Sequence, residues 1–119
     1  SNPENPTKPE NPTKPVKPQV KPKATVILGT PKAQRKAFQV RWKKQSGITG
    51  YQVQYSTDKK FRKNATGSKT LRNAKLTKLT VKKLKPRKTY YIRIRTYKTV
   101  KRTNYFSSWS KIAKVKTKR

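Results

Sequence analysis

Apolar and polar residues alternate along several short stretches of the chain beyond residue 24. The longest stretch covers residues 89–97, where Tyr90, Ile92 and Ile94 alternate with side chains of more polar character. A period of two residues is typical of a β-strand that is buried on one face only. Shorter stretches of similar character predict further strands at residues 25–28, 38–42, 51–55, 69–71, 79–81 and 111–117.

Turn-forming residues separate these stretches, notably at 29–31 and 45–50, and no stretch has the apolar spacing of an α-helix. In the last predicted strand Ala113 and Val115 face inward. Ile112 is out of phase with them, which favours a bulge at or just before this residue. The pattern as a whole predicts an all-β fold, a seven-stranded antiparallel sandwich of two sheets.

The first 22 residues differ in composition, because they hold seven of the nine prolines of the chain. The hexapeptide Pro-Glu-Asn-Pro-Thr-Lys occurs twice in tandem, at residues 3–8 and 9–14. Proline at every third position favours extended polyproline II geometry, which rises about 3.1 Å per residue. We therefore expect residues 1–23 to form a semi-rigid spacer and residues 24–119 to form the folded domain. The same proline spacing would also suit a ligand of proline-recognising domains.

The composition argues against catalysis. The chain has 119 residues with 34 Lys and Arg, 3 Asp and Glu, and neither His nor Cys, which gives a formal charge of +31. Without His or Cys it lacks an imidazole base, a thiolate nucleophile and the usual zinc ligands. Only Asp58 is acidic in the predicted domain, so no pair of carboxylates is available there. We expect no catalytic residue, no metal, no cofactor and, since no apolar run is long enough, no membrane insertion.

Four short motifs resemble those of the fibronectin type III family, in the expected order. The segment Val40-Arg41-Trp42 resembles the Val-x-Trp motif on the family's second strand. Residues 50–56, Gly-Tyr-Gln-Val-Gln-Tyr-Ser, resemble its third strand. Its tyrosine corner, a turn closed by a Tyr, resembles residues 84–90, Leu-Lys-Pro-Arg-Lys-Thr-Tyr. The approach to the last strand in Lys-rich bacterial members resembles residues 107–110, Ser-Ser-Trp-Ser.

The resemblance implies which residues hold the domain together. In the family, the hydroxyl of the corner Tyr bonds back to the backbone a few residues upstream, and this role would fall to Tyr90. Phe106 and Trp109 are expected to cover the core. The residues expected to be structural are Trp42, Tyr51, Val53, Leu84, Pro86, Tyr90, Ile92, Ile94 and Trp109.

The resemblance also implies a biological setting. Bacterial members of the family are typically accessory or spacer modules of secreted and wall-bound proteins, often beside carbohydrate-active or adhesive domains. A proline-rich spacer fits that arrangement. We therefore expect an extracellular location, secreted or associated with a Gram-positive cell wall. The expected partners are neighbouring domains of the same chain, and the module itself is expected to be a monomer.

The charge of the predicted domain departs from the usual family pattern. Residues 24–119 hold 29 Lys and Arg residues against Asp58, a formal charge of +28, whereas typical members are closer to neutral. The outer face of strand 89–97 is the sharpest candidate for a binding surface, since Arg binds phosphate or sulfate and Tyr stacks on a sugar. With the implied neighbours and the loop at 98–106, the candidate residues are Tyr91, Arg93, Arg95, Tyr97, Gln52, Gln54, Lys114, Lys116, Lys98, Lys101 and Arg102.

Two interpretations of this face remain open. In the first, it binds a polyanion or a glycan. In the second, its two Tyr rings pack over the Arg stems and stiffen the sheet through cross-strand contacts. Many of the other Lys side chains are expected to be solvated and to maintain solubility.

Three classes of function are consistent with these features. The first is a structural spacer that positions neighbouring domains and attaches loosely to anionic cell-wall polymers. The second is a dedicated adhesin or carbohydrate-binding module for sulfated or phosphorylated glycans. The third is a nucleic-acid binder, which a strongly basic chain always suggests. No nucleic-acid-binding motif occurs in the sequence, which weighs against the third class.

Overall fold

A computed structural model describes residues 21–119, which fold into two antiparallel β-sheets. The predicted all-β two-sheet sandwich is confirmed. In chain order, the strands are β1 (Lys32–Gln34), β2 (Ala37–Arg41), β3 (Gly50–Ser56), β4 (Thr66–Leu71), β5 (Lys78–Val81), β6 (Thr89–Val100), β7 (Thr103–Phe106) and β8 (Ala113–Lys116), with a short 3₁₀ helix at Lys63–Ala65.

The smaller sheet has the strand order β1-β2-β5 and the larger sheet has the order β4-β3-β6-β7. The long strand β6 organises the larger sheet. It pairs with β3 along one edge, and with both β7 and β8 along the other. Within residues 21–119 no helix is long and apolar enough to cross a membrane.

The core lies between the two sheets and is built from the residues that alternate inward. Phe38 and Val40 of β2 face Val53 of β3 and Ile92 and Ile94 of β6, and all five side chains are fully buried. Each such side chain stabilises the fold by roughly 1.5–3 kcal/mol through removal of apolar surface from water. The remaining buried members of the core are Trp42, Tyr51, Val81, Tyr90 and Val115.

The first predicted strand, 25–28, is wrong as a regular strand. Only an isolated bridge between Ile27 and Trp42 remains there, and the regular strand is β1, a few residues later. Gly29 has a φ of +66°, and Pro31 follows it, so the backbone breaks between the two pieces. The edge strand is therefore divided.

The predicted loop at 98–106 is also wrong, because β6 continues to Val100 and turns back as β7. The two-residue connection, Lys101 and Arg102, has φ values of +49° and +69°. Two central residues of positive φ define the tight hairpin turn that Asn-Gly or Asp-Gly usually forms. Because this turn has Lys-Arg in place of those pairs, the sequence did not indicate the hairpin. The described residues therefore contain eight strands instead of the seven predicted.

The last strand is shorter than predicted. It covers Ala113–Lys116 with Val115 buried, whereas residues 111–117 were expected. Ile112, predicted to be out of phase, is 50% exposed and lies outside the strand. The chain leaves regular pairing between Phe106 and Ala113, the region in which a bulge was predicted.

The tyrosine corner forms as the resemblance implied. Tyr90 is 6% exposed, and its hydroxyl accepts a hydrogen bond of 3.0 Å from the backbone N–H of Lys85. Thr117 reinforces the turn, because its hydroxyl donates to the carbonyl of Lys85 at 2.6 Å and its N–H donates to the carbonyl of Lys88 at 2.9 Å. The turn at 84–90 is thus fixed from both the core and the last segment of the chain.

At the other end of the sandwich, the described chain begins against the larger sheet. Pro22 is buried, and the carbonyl of Lys23 accepts a hydrogen bond of 2.6 Å from the hydroxyl of Thr96. Residues 1–20, which hold the hexapeptide repeats of the predicted spacer, lie outside the described residues.

Candidate functional site

The two arginines singled out from the sequence, Arg93 and Arg95, lie on the outer face of β6. Arg93 pairs across the strands with Gln54 and Arg95 with Gln52, as the implied topology predicts. Nε and Nη2 of Arg93 donate to Oε1 of Gln54 at 3.0 and 2.7 Å. Nε of Arg95 donates to Oε1 of Gln52 at 2.8 Å. The two amides therefore hold the guanidinium groups in fixed positions on the sheet.

Aromatic rings cover both faces of each guanidinium group. Cζ of Arg93 lies 4.2 Å from the ring centre of Phe61 and 4.3 Å from that of Trp109. Cζ of Arg95 lies 4.2 Å from the ring centre of Trp109 and 3.8 Å from that of Phe106. The five side chains alternate in the order Phe61, Arg93, Trp109, Arg95, Phe106. We call this arrangement the aromatic–guanidinium stack.

The stack forms because the chain between β7 and β8 is longer than the strand it accompanies. Phe106 pairs with Tyr97 and Ala113 with Ile92, so seven residue steps run beside five steps of β6. The extra length lets Trp109 rise over the outer face. Since alternate residues on one strand face are about 6.6 Å apart, a single ring fits between two guanidinium groups.

Two serines attach this longer segment to β6 in place of regular strand pairing. The hydroxyl of Ser107 accepts a hydrogen bond from the N–H of Thr96, and the hydroxyl of Ser110 accepts one from the N–H of Ile94, each at 3.0 Å. The N–H groups of the same serines donate to the carbonyls of Thr96 and Ile94 at 3.0 and 2.8 Å. Trp109 lies between these two anchors, which explains its defined position.

Three aromatic residues therefore occupy places other than those predicted. Phe106 and Trp109, expected to cover the core, lie on the outer face of the larger sheet. Tyr97, expected on the exposed candidate face, is only 2% exposed, because the ring of its strand partner Phe106 lies against it with centroids 6.1 Å apart. The aromatic partners of the arginines are Phe and Trp rings, and none of them is a Tyr.

The remaining candidate residues are spread along β6. Tyr91 is half-buried beside its strand partner Lys114, while Lys116 lies opposite Thr89. Lys98 is half-buried on β6, and Lys101 and Arg102 form the exposed tip of the β6–β7 hairpin. At about 3.3 Å per residue, this tip is roughly 30 Å from Tyr91. The structure thus brings Arg93, Arg95, Gln52 and Gln54 together but does not join the hairpin tip to them.

The electrostatics of the stack follow from burial. Burial lowers the pKa of Arg93, and burial together with the nearby charge of Arg93 lowers the pKa of Arg95. Both groups remain cationic at neutral pH, since the guanidinium group ionises far above it. Two like charges are tolerated side by side because each faces the electron-rich surface of two rings. The arginines therefore pack between rings with their faces covered.

A second cationic region was not predicted, because it is assembled from three separate parts of the chain. Residues 35–36, 83–88 and 117–119 meet at the end of the sandwich that carries the tyrosine corner. We call the cations of this region the basic end; they are Arg35, Lys36, Lys83, Lys85, Arg87, Lys88 and Lys118, and all are exposed. Only the strand topology could have revealed the grouping from sequence.

Negative charge is scarce in the described part of the chain. Asp58 is the one acidic side chain in residues 21–119, and its carboxylate lies 3.3 Å from Nε of Arg62. A hydrogen bond of 2.9 Å from the N–H of Lys60 lowers the pKa of Asp58, and the charge of Arg62 adds to the effect. The same residues contain no group of three potential metal-ligating side chains.

Comparison with known proteins identifies the family. The sequence model of the fibronectin type III domain matches residues 22–113, more than half of the chain. The chain belongs to the fibronectin type III family. Domains of this family are generally non-catalytic modules with structural or interaction roles, and many are extracellular.

Solved structures support the fold at low sequence identity. One described as a myokine structure aligns with a TM-score of 0.62 and 17% identity, over 82% of this chain and 99% of that chain. The fibronectin type III domain of human contactin 1 aligns with a TM-score of 0.62 and 14% identity, over 82% and 78%. Comparison with curated protein sequences found no significant match.

A β-1,2-glucanase from Parabacteroides distasonis contains a similar domain. It aligns with a TM-score of 0.61 and 15% identity, over 82% of this chain but only 14% of the enzyme's own length. At this identity the likeness shows the fold alone. A domain of this fold therefore forms one part of a much larger enzyme.

Proposed function

We propose that this fibronectin type III domain is a non-catalytic spacer and attachment module of a secreted or cell-wall-associated bacterial protein. It positions the domains beside it and attaches to anionic polymers of the cell wall or to anionic glycans. The supporting observation is the charge of the described surface, which has 31 Lys and Arg residues but one carboxylate, itself engaged by Arg62.

The attraction is electrostatic and largely independent of the polymer's sequence. A polyanion carries condensed counterions, and exposed Lys and Arg side chains release them on binding. The released ions drive association, which therefore weakens steeply as salt rises. Exposed cations such as Lys114 and Lys116 are available for this purpose.

The family fold suits a spacer as well. The domain contains a core of ten buried residues without a disulfide in residues 21–119, so its shape depends on packing. The stack and the serine anchors stiffen the outer face of the larger sheet further. A stiff module with a cationic surface keeps its neighbours at a fixed distance from an anionic matrix.

Calorimetric titration of the full chain tests this function. Wall teichoic acid, heparin and double-stranded DNA are each titrated at about 0.1 M NaCl, where the screening length is about 10 Å. We expect saturable binding of teichoic acid or heparin, with log K falling linearly as log salt rises. Absence of binding to both polymers even at about 50 mM salt overturns the proposal. Preference for DNA assigns the domain to nucleic acid instead.

A further inference from the structure

We propose that the basic end is a discrete binding site for closely spaced phosphate or sulfate groups on a polymer without aromatic bases. This inference rests on the proposed function and gives it a location that is separate from the outer face of β6. The site consists of the seven exposed cations defined above, together with Arg119 beside them.

Hydrogen bonds hold the three segments of the basic end together. The N–H of Lys36 donates to the carbonyl of Lys118 at 2.9 Å, and the N–H of Leu84 donates to the carbonyl of Lys36 at 2.9 Å. The N–H of Lys118 donates to the carbonyl of Gln34 at 2.8 Å. The cations therefore extend from a connected backbone framework. Because folding already orders this backbone, binding of an anion loses less conformational entropy there.

The tyrosine corner adds rigidity to the same framework. The phenol of Tyr90 fixes the N–H of Lys85, and the hydroxyl of Thr117 fixes its carbonyl. Three cations lie in the turn that these bonds close, at residues 85, 87 and 88, and Lys83 lies just before it. The contact that pins the fold thus also fixes the base of the cationic cluster.

Three cations of the basic end lie in tight turns. Lys36, Lys83 and Arg87 have φ values of +50°, +59° and +51°, in the region that favours glycine. A non-glycine residue there is held at a cost of order 1–3 kcal/mol. These turns fix the backbone from which the three cationic side chains extend.

The surface between these segments is shaped to accept anionic groups. Arg35, Lys36, Arg87 and Arg119 line a groove of about 360 Å³ together with Pro86. Arg offers a planar pair of donors that matches two oxygens of phosphate or sulfate. Within residues 21–119 neither Arg35 nor Arg87 has a carboxylate or an aromatic partner. Their guanidinium groups therefore remain available.

The composition of the groove selects among polyanions. Proteins that bind single-stranded nucleic acid combine basic residues with aromatic side chains on which bases stack. The groove at the basic end has no aromatic lining residue. It therefore suits a polymer whose recognisable feature is its tetrahedral oxyanions, such as a phosphodiester-linked polyol, a polyphosphate or a sulfated glycan.

Binding of three probes to matched variants of the full chain tests the site. The probes are sodium tripolyphosphate, a heparin oligosaccharide and a short single-stranded DNA, at equal ionic strength. The variants are R35Q/R87Q in the groove and R72Q/R102Q away from it. Each pair removes two exposed Arg charges, and each includes one residue of positive φ, Arg87 or Arg102. Thermal melts check that both variants fold.

We expect R35Q/R87Q to weaken tripolyphosphate or heparin binding by about tenfold or more, and R72Q/R102Q by about twofold. Amide chemical shifts should change first at residues 35–36, 83–88 and 117–119. Preference for tripolyphosphate identifies phosphate as the natural group, and preference for heparin identifies sulfate.

Equal losses in the two variants overturn the discrete site while leaving the proposed function intact. Failure of the unmodified chain to bind either oxyanion probe, while it still binds teichoic acid, also removes only the discrete site. Failure to bind teichoic acid and heparin together removes both proposals. Tighter binding of DNA with the same loss in R35Q/R87Q shows that the partner class is wrong.

Discussion

The aromatic–guanidinium stack and the basic end each contain two arginines, yet these side chains have opposite surroundings. In the stack, Arg93 and Arg95 have their faces covered by rings and their Nε atoms bonded to glutamines. At the basic end, Arg35 and Arg87 are exposed beside an open groove. In the stack, arginine packs between rings, whereas at the basic end no ring of the described residues covers it.

The difference shows that a residue's charge does not define its role. A guanidinium group is planar and weakly hydrated, so it can serve inside a packed surface or bind an anion. Which of these occurs depends on whether the same chain supplies partners. The sequence left two interpretations of Arg93 and Arg95 open, a binding face for an anion or glycan and a packing role beneath the rings of Tyr91 and Tyr97. The glutamines bond to them as the topology implied, but the rings that cover them belong to Phe61, Phe106 and Trp109.

The largest effect is expected from removing the shared ring of the stack. Trp109→Ala deletes the indole that contacts both guanidinium groups. Loss of a large packed side chain, with two cation–π contacts, should lower the free energy of unfolding by about 2–4 kcal/mol. Urea denaturation measures the change. Tyr105→Ala is the matched control, because Tyr105 is a half-buried aromatic residue of β7 outside the stack. A loss no larger than that of the control would contradict a role for the stack in stability.

A smaller change in stability is expected when one arginine from each region is replaced by glutamine. Arg95→Gln removes two cation–π contacts and the bond to Gln52, so we expect a loss of about 1–2 kcal/mol. Arg87→Gln removes an exposed like charge, so stability should stay the same or rise slightly in dilute salt. At about 0.15 M salt that rise should disappear through screening. Thermal melts at two salt concentrations measure both variants, and equal losses would erase the distinction between the regions.

A smaller effect is expected beneath the basic end. Tyr90→Phe leaves the ring in the core but removes the acceptor of the Lys85 N–H, which should cost about 1 kcal/mol. Amide hydrogen exchange should quicken at Lys85 if the turn loosens. Tyr55→Phe is the control, because the hydroxyl of Tyr55 has no hydrogen-bond partner among the described residues. A Tyr90→Phe variant as stable as this control would mean that the corner bond does not hold the turn.

The smallest change in stability is expected when the pH is lowered. Because the pKa of Asp58 is lowered in the fold, the group stabilises the folded state above its ordinary pKa, and this contribution disappears as pH falls through the folded value. No other acidic side chain occurs in residues 21–119, so thermal melts should be nearly level from pH 7 to about 5, with a slight decline below about pH 4. Asp58→Asn should remove most of that decline. A steep acid transition in both proteins would require another titrating group.

The sequence pattern predicted most of the sandwich, because its core strands alternate plainly. Val53, Ile92 and Ile94 lie inward as predicted, and Tyr90 closes the corner that the resemblance implied. The strands that were missed lack this signal. β1 has three residues, and the β6–β7 turn has Lys-Arg where glycine or asparagine is usual.

The candidate site was harder to predict, because it depends on the longer segment between β7 and β8. Nothing in the spacing of Phe106 and Trp109 shows that serine hydroxyls anchor the chain between and beside them. The basic end was missed for another reason. Its cations are far apart along the chain and meet only once the strand order is known.

The positions at which the polypeptide enters and leaves the sandwich have a mechanical consequence. Lys23 is bonded to Thr96 near one end of β6, while Thr117 is bonded to Lys88 just before its other end. Eight residue steps separate these points, about 26 Å of strand. Tension applied at these points is directed along the sandwich and loads the hydrogen bonds between β8 and β6 in shear, so that several must fail together before the last strand detaches.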